Sequence, residues 1–531
     1  MRRITFDRRT GRGPAVGVLA AWGLLTPAAP AARAQSDDFV VRANRLYSDI
    51  APSNRSDTVV LPAASKMSAA PAGLTFARSR LLSAGGPGWS EAEAWAMGPE
   101  QRGVLEAIEA VTRGEDWRRA MAFGQPYGIE GVPIELVRAR LYTELGDPAL
   151  LSAARPYYLE ALETVAILCN VEATRLGASG HARRAIDVMV NWTMLARQIA
   201  DRQLTREAAW GLGHVAAGLE RVRDLAAQDF TGARALTAED YRAVVARLDE
   251  ESGPLSLDRV KFPMADELGA RQALGVIYSE RGGLVNQRVF APTLSRLGAS
   301  EHPLKLFGES TRLSAVAAVQ ADKLDAEAEL PKVFDDFSGR WRVDWWDRRM
   351  KQPYHATQMD RNRFAAIAAA TPDMGQLFGL RQAARTEAVG TRQALAVGGY
   401  LVLNRSWPPT VESTRPRFVR AIEADPLNPD RAAGRTPAME YFVPNGVNAR
   451  PLGPRDEPRP HRIEVVNPRG TNFAAFVPGD NFVMYSVGAD GARGWADQVQ
   501  NTAAAKGADY LIWPPLLTLE RAYLKQVGQQ P

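Results

Sequence analysis

The chain has 531 residues and a mass of 57.9 kDa, a length that suits two to four domains. Its 46% hydrophobic and 24% charged content excludes a wholly disordered, collagen-like or polytopic membrane chain. Of the 65 basic and 60 acidic residues, residues 1–34 hold six and one, which leaves 59 of each beyond. The formal charge of +5 therefore belongs to the N-terminal segment, and the balanced remainder excludes the basic field expected of a nucleic-acid binder.

The N-terminus has the layout of an export signal. Met1 to Arg12 is basic, and Ala15 to Leu25 is an apolar run of 11 residues. A membrane span needs about 20 residues, so this run suits a secretory h-region instead. Pro27 and Pro30 end it, and Ala32-Arg33-Ala34 supplies a cleavage site. Residues 1–34 are expected to be a signal peptide cleaved after Ala34, and the remainder to be exported to the periplasm, the cell envelope or the medium. Beyond residue 34 no stretch approaches 18 apolar residues, so no transmembrane span is expected in the mature chain.

Residues 35–90 are rich in Ala, Ser and Pro and read as a partly extended lead-in that lies on the main domain or links to it. Residues 91–375 read as an irregular α-helical domain of stacked hairpins. Apolar residues recur every three or four positions over Tyr158–Leu176, His181–Ala200 and Arg206–Ala227. Gly177 and Gly180 punctuate the first of these, and Thr237-Ala-Glu-Asp240 forms a capping box for the next helix. Short links between such helices imply antiparallel neighbours. The single cysteine, Cys169, shares an apolar stripe with Leu162, Val165 and Leu176 and is expected to be a buried hydrophobe. No intrachain disulfide is possible.

Pro331 to His355 is the densest aromatic and acidic segment. Trp341 and Trp345 are four apart, as are Asp344 and Arg348, which predicts an amphipathic helix with a wet charged face. The rival reading places Asp335, Asp336, Asp344 and Asp347 beside the tryptophans as the carboxylates of a secreted, glycan-directed hydrolase. That reading requires the four to converge in one concave pocket, with at least one raised pKa. The five histidines form no H-x-x-x-H or H-E-x-x-H pair, and no nucleophile elbow or phosphate loop occurs.

Residues 376–531 read as a small α+β domain. A helix over 376–403 stops before Trp407-Pro408-Pro409. Strand-like runs flank Pro478-Gly-Asp480, which predicts a hairpin, and Asn481–Val487 alternates as a half-buried strand. The Asp490-Gly491 turn, with Asp497 and free carbonyls nearby, forms a candidate oxygen-only site for a hard cation.

The helix end at Arg392–Tyr400, then Trp407-Pro408-Pro409, Asp425-Pro426, Phe482–Gly491 and Ala496-Asp497 follow one another in an order that resembles the globular domain of type II secretion major pseudopilins. The resemblance covers about residues 385–513, and its sharpest piece is Tyr485–Gly491. Similar tails close large exported proteins of planctomycete-type bacteria, behind helical domains. The resemblance implies calcium at this loop, with Asp490 and Asp497 as ligands. The chain departs from the pattern at Asp425-Pro-Leu-Asn428, in an Arg/Pro-rich insertion over about 430–470, and at Ala492-Arg493-Gly494-Trp495, where Arg493 would repel a cation. The fibre-building hydrophobic helix of pseudopilins has no counterpart: the matching helix is interrupted by Gly390, Gly398 and Gly399.

The expectation is a mainly α protein, with a helical-hairpin domain followed by a small pseudopilin-like α+β domain. It is expected to be exported and non-catalytic. Its partner is expected to be a protein of the envelope or secretion apparatus, not nucleic acid.

Overall fold

A computed structural model describes residues 30–113, 121–249, 253, 255–279, 283–298, 309–446, 448–449, 460–467, 470, 472–503, 505 and 507–529. Residues 1–29, which hold most of the predicted signal, lie outside the described residues. The helices are α1 (Pro30–Ser48), α2 (Asp57–Ala64), α3 (Phe76–Leu81), α4 (Trp89–Ala96), α5 (Pro99–Thr112), α6 (Ile134–Arg138), α7 (Tyr158–Ala178), α8 (Ala182–Ala200), α9 (Thr205–Thr231), α10 (Ala238–Arg247), α11 (Ala265–Ile277), α12 (Gln287–Gly298), α13 (Glu309–Ala318), α14 (Lys323–Trp341), α15 (His355–Gln358), α16 (Ala365–Ala370), α17 (Met374–Asn404) and α18 (Leu516–Gln526). The strands are β1 (Thr143–Glu144), β2 (Arg155–Pro156), β3 (Glu440–Phe442), β4 (His461–Val465), β5 (Phe473–Val477), β6 (Val483–Ser486), β7 (Gln498–Val499) and β8 (Tyr510–Trp513). The protein is mainly helical, with small sheets.

The centre is built from the helices with the plainest apolar periodicity. α8 packs between α7 and α9, and α17 lies on the opposite side of α9. The predicted capping box is present: Asp240 N–H donates to Thr237 Oγ1 at 3.2 Å, and Thr237 N–H donates to Asp240 Oδ2 at 3.0 Å.

Three expectations are corrected. Residues 35–90 are folded as α1 to α3 and the start of α4, because Val60, Leu61, Ala64 and Leu82 reach the main core. α17 belongs to the helical body as much as to the C-terminal unit, since it packs on both α9 and α10, so the core continues through residue 376. The glycines do not interrupt α17, which runs unbroken through them. A Cβ at Gly390 would lie 2.7 Å from Ile512 Cγ1 of β8, and one at Gly399 would lie 2.9 Å from Tyr241 Cβ of α10. These glycines let neighbouring elements approach the helix closely.

The C-terminal unit holds two three-stranded sheets, ordered β3-β6-β8 and β5-β4-β7. The first is antiparallel throughout; in the second, β4 pairs antiparallel with β5 and parallel with β7. Pro478-Gly-Asp480 is therefore a crossover between sheets instead of the predicted hairpin. β6 is buried on both faces: Phe482 and Met484 join the helical core, while Val483, Tyr485 and Val487 join a second core against the other sheet. Alternation along a strand divides its side chains between two covered faces just as readily as between core and solvent.

Buried ion pairs close the assembly. Asp224 of α9 accepts from Arg521 of α18 at 3.0 and 2.9 Å and from Thr518 Oγ1 at 2.7 Å, and it pairs with Arg221. Glu387 of α17 pairs with Arg223 at 2.5 Å and accepts from Tyr510 Oη at 2.8 Å. Burial alone would raise the Asp224 carboxyl; Arg521 and Arg221 override it and hold the group well below the usual carboxylate range.

Candidate functional site

The four aspartates of the 331–355 segment are not brought together. α14 ends at Trp341, so Asp344, Trp345 and Trp346 lie in a turn instead of on the predicted helix. Asp336 binds Arg340 Nε at 2.9 Å and accepts His355 N–H at 3.0 Å. Asp344 accepts from Arg431 at 3.0 Å and not from Arg348. Burial, which would raise the Asp344 carboxyl, is outweighed by the Trp346 N–H and Arg431, so its pKa is lowered. Asp347 caps the following turn through Arg349 N–H at 2.7 Å, and Asp335 is exposed on α14. Each of the first three serves a separate local partner.

The loop after β6 places Asp490 and Asp497 as follows. Asp490 accepts N–H bonds at both oxygens, from Ala492 at 2.9 Å and from Gly507 at 3.0 Å. Asp497 is half-exposed, with His461 Nε2 at 4.0 Å. A third carboxylate, Asp509, enters from the residue before β8; the sequence pattern gave no reason to include it. Burial pushes Asp509 up to about 7, opposed by the Ala496 and Gly494 N–H groups and reinforced by the charges of Asp490 and Asp497. Ala496 N–H lies 2.7 Å from Asp509 Oδ2. Arg493 turns away, pairing with Glu440 at 2.8 Å and stacking 4.0 Å from the Trp495 ring. Amide donors meet Asp490 and Asp509, and among the described residues no three acidic, His or Cys side chains are placed to hold one ion. As arranged, Asp490 and Asp509 serve as acceptors for backbone N–H groups.

The acid–base candidates elsewhere are structural in their contacts. His214 sits among Trp210, Phe76 and Trp192, with ring centroids at 3.9, 4.6 and 5.5 Å, and contacts Glu163 at 2.9 Å. His355 contacts Glu329 at 2.6 Å. Asp266 accepts both Thr205 N–H and Thr205 Oγ1 at 2.7 Å and so caps α9 from another element. Burial pushes Asp266 up to about 7 against those two bonds. Cys169 is buried as expected, and burial also raises its thiol.

The most distinctive concavity lies where α9 and α17 end. It is an open cavity of about 790 Å³, bounded by those two helix ends, the start of α10 and the crossover between β5 and β6. This volume falls within the range of about 300–1,000 Å³ usual for ligand sites. A ladder of rings runs from its floor into the core. Phe230 and Trp407 are 5.6 Å apart, Trp407 and Phe482 5.1 Å, and Phe482 stacks on Trp513 at 4.9 Å. Trp407 Nε1 donates to Asp480 O at 2.9 Å and pins the crossover to the end of α17.

The charges at this cleft follow from how the helices terminate. In the last turn of α9, Asp229 is buried and accepts the N–H groups of Ala235 and Leu236 at 2.8 and 3.0 Å. This brings Arg234 to the rim with φ 51°. Past α17, Arg405 N–H donates to Leu401 O at 2.7 Å with φ 58°. Arg234 Nε binds Phe230 O at 3.2 Å, and its guanidinium lies 5.6 Å from the Phe230 ring. Among the described residues the side chains of Arg405 and Asp480 have no hydrogen bond or ion pair. The cleft thus joins an aromatic floor, the exposed Val402, two cations and one free carboxylate. The sequence marks Trp407 as a helix stop and singles out neither arginine; Arg405 directly after α17 and Arg234 three residues past α9 were the only available signal.

No family model matches the chain, and no curated protein or solved structure matches it. Among the described residues no helix is long and apolar enough to cross a membrane.

Proposed function

We propose that the protein is an exported, non-catalytic protein of the cell envelope or extracellular space that acts through protein–protein contact, with the cleft between α9, α17 and the β5–β6 crossover as its contact site. The observation that carries this reading is the cleft itself. An aromatic floor anchored in the core, with Arg405 and Asp480 at its edge lacking side-chain partners among the described residues, has the layout of a binding hot spot. The bond from Trp407 Nε1 to Asp480 O, which ties the crossover to the end of α17, favours a preformed surface. The C-terminal unit is proposed to be pseudopilin-like, in keeping with a long helix packed against the antiparallel strands β6 and β8. In that reading the contact is with a protein of the envelope or secretion apparatus.

The test is a photo-crosslinking residue placed at Val402, which is 40% exposed on the cleft rim, and at Ile134 on α6, which does not line it. In producing cells, Val402 should yield a discrete crosslinked protein that is absent from Ile134. No product, or the same product from both positions, refutes the proposal.

A further inference from the structure

We infer that the cleft takes an acidic, apolar peptide segment of the partner, one that places an aromatic or aliphatic side chain on Trp407 and a carboxylate between Arg234 and Arg405; this rests on the protein-contact reading above.

The argument begins with the two arginines. Both adopt the left-handed backbone region, at φ 51° and 58°, which side chains with a Cβ enter at a cost and glycine enters freely. Glycine fills the same role past the 3₁₀ turn at Pro429–Ala433, where Gly434 has φ 74°. Two arginines held in a costly conformation on one cleft point to a use for their side chains. Neutralising a helix end accounts for part of Arg234, whose Nε binds Phe230 O. It does not account for Arg405, whose guanidinium makes no such bond.

Charge then selects the ligand. The exposed charges at the cleft are the two guanidinium groups and the carboxylate of Asp480; Asp229 keeps its charge but is buried, with both oxygens turned to the N–H groups of Ala235 and Leu236 and out of a ligand's reach. A neutral ligand covering the cleft would desolvate the guanidinium groups without replacing their water. A carboxylate replaces it with charge-assisted, two-pronged hydrogen bonds. A polyanion is disfavoured by Asp480 at the mouth and by the balanced charge beyond residue 34. Asp480 instead suits a peptide N–H or a basic residue next to the acid. The apolar side chain follows from the floor, where Phe230 and Trp407 lie 5.6 Å apart in the cleft that both arginines line.

The probe is an array of amidated ten-residue peptides, each with two aromatic or aliphatic and two acidic residues. One matched array carries Gln or Asn for the acids, and another carries Lys. Binding to the purified full chain is then titrated by fluorescence anisotropy. Acidic apolar peptides should bind. Replacing their acids with amides should weaken binding about tenfold per contacted carboxylate. The double variant Arg234→Glu with Arg405→Glu should weaken it about a hundredfold or more. Arg405→Gly should also weaken binding while raising the melting temperature, since the strain is relieved as the ligand contact is lost; a purely structural arginine would not separate the two readouts.

A blank array, equal binding of neutral or basic peptides, preference for RNA or heparin, or unchanged binding by the double variant overturns the inference. A blank array with a persisting Val402 crosslink rejects the acidic chemistry and leaves protein contact standing. Loss of both rejects both.

Discussion

Replacing Arg521 by Met removes the clamp between α18 and α9 while keeping most of the apolar stem. Four hydrogen bonds disappear: two to Asp224, one to Leu81 O at 3.1 Å and one to Arg80 O at 3.1 Å. Removing one partner of a buried pair costs about 3–5 kcal/mol when the other charge is left uncompensated. Asp224 keeps Arg221 and Thr518, which places the loss at the low end, about 3 kcal/mol. At about 1.4 kcal/mol per factor of ten, α18 should open roughly a hundredfold more often. Hydrogen exchange of residues 516–526 at neutral pH reads this directly, because undocking of a terminal helix is a local event. The same variant should show less acid sensitivity. Asp224 is held below its unfolded value, so its contribution is complete at neutral pH and is lost as pH falls through and below the ordinary carboxylate range near 3.9. An increase of less than about tenfold in α18 exchange, or an equal increase in α7 and α8, would refute the clamp.

Gly390→Ala should lower stability by about 1–3 kcal/mol in chemical denaturation, because the new methyl meets Ile512 of β8; a neutral outcome would mean that β8 can retreat from α17. The buried Asp266 has a pKa raised to about 7, so the folded state binds more protons than the unfolded one between about pH 4 and 7. The protein should melt higher at pH 5 than at pH 8, and Asp266→Asn should reduce that difference; an unchanged slope would assign the effect elsewhere. Calcium and chelator should give the same melting temperature, since amide donors already fill Asp490 at both oxygens. An upward shift with calcium, abolished by Asp490→Ala, would show that the loop rearranges into a metal site.

The helices of the centre were legible because their burial is one-sided and periodic: Tyr158–Leu176 and His181–Ala200 correspond to α7 and α8 within two residues. The misreadings share a cause. Residues 57–64 lack periodicity because Pro62 sits inside a short helix that is held by tertiary packing. The Pro478-Gly-Asp480 turn carries local hairpin chemistry, but β5 already pairs with the preceding strand β4, and β6 pairs with the more distant β3 and β8. The Asp344–Arg348 spacing suited a helix that ends three residues earlier, at Trp341. The cleft was hidden for the same reason: Phe230, Trp407 and Phe482 are scattered over some 250 residues and meet only in the folded chain. The resemblance at Tyr485–Gly491 located a turn but not the N–H groups that fill its carboxylates.

The Arg521 clamp joins positions separated by 441 and 297 residues along the chain. A polypeptide made from its N-terminus therefore completes α9 well before α18 can reach it. Asp224 and Arg221 can pair as soon as α9 forms, but Thr518 and Arg521 of α18 follow Asp224 by 294 and 297 residues. Until then the flank of α9 that receives α18 stays bare, and the β3-β6-β8 sheet lacks β8. Closure of α18 on α9 is thus a late step of folding, and a chain lacking α18 would forfeit it.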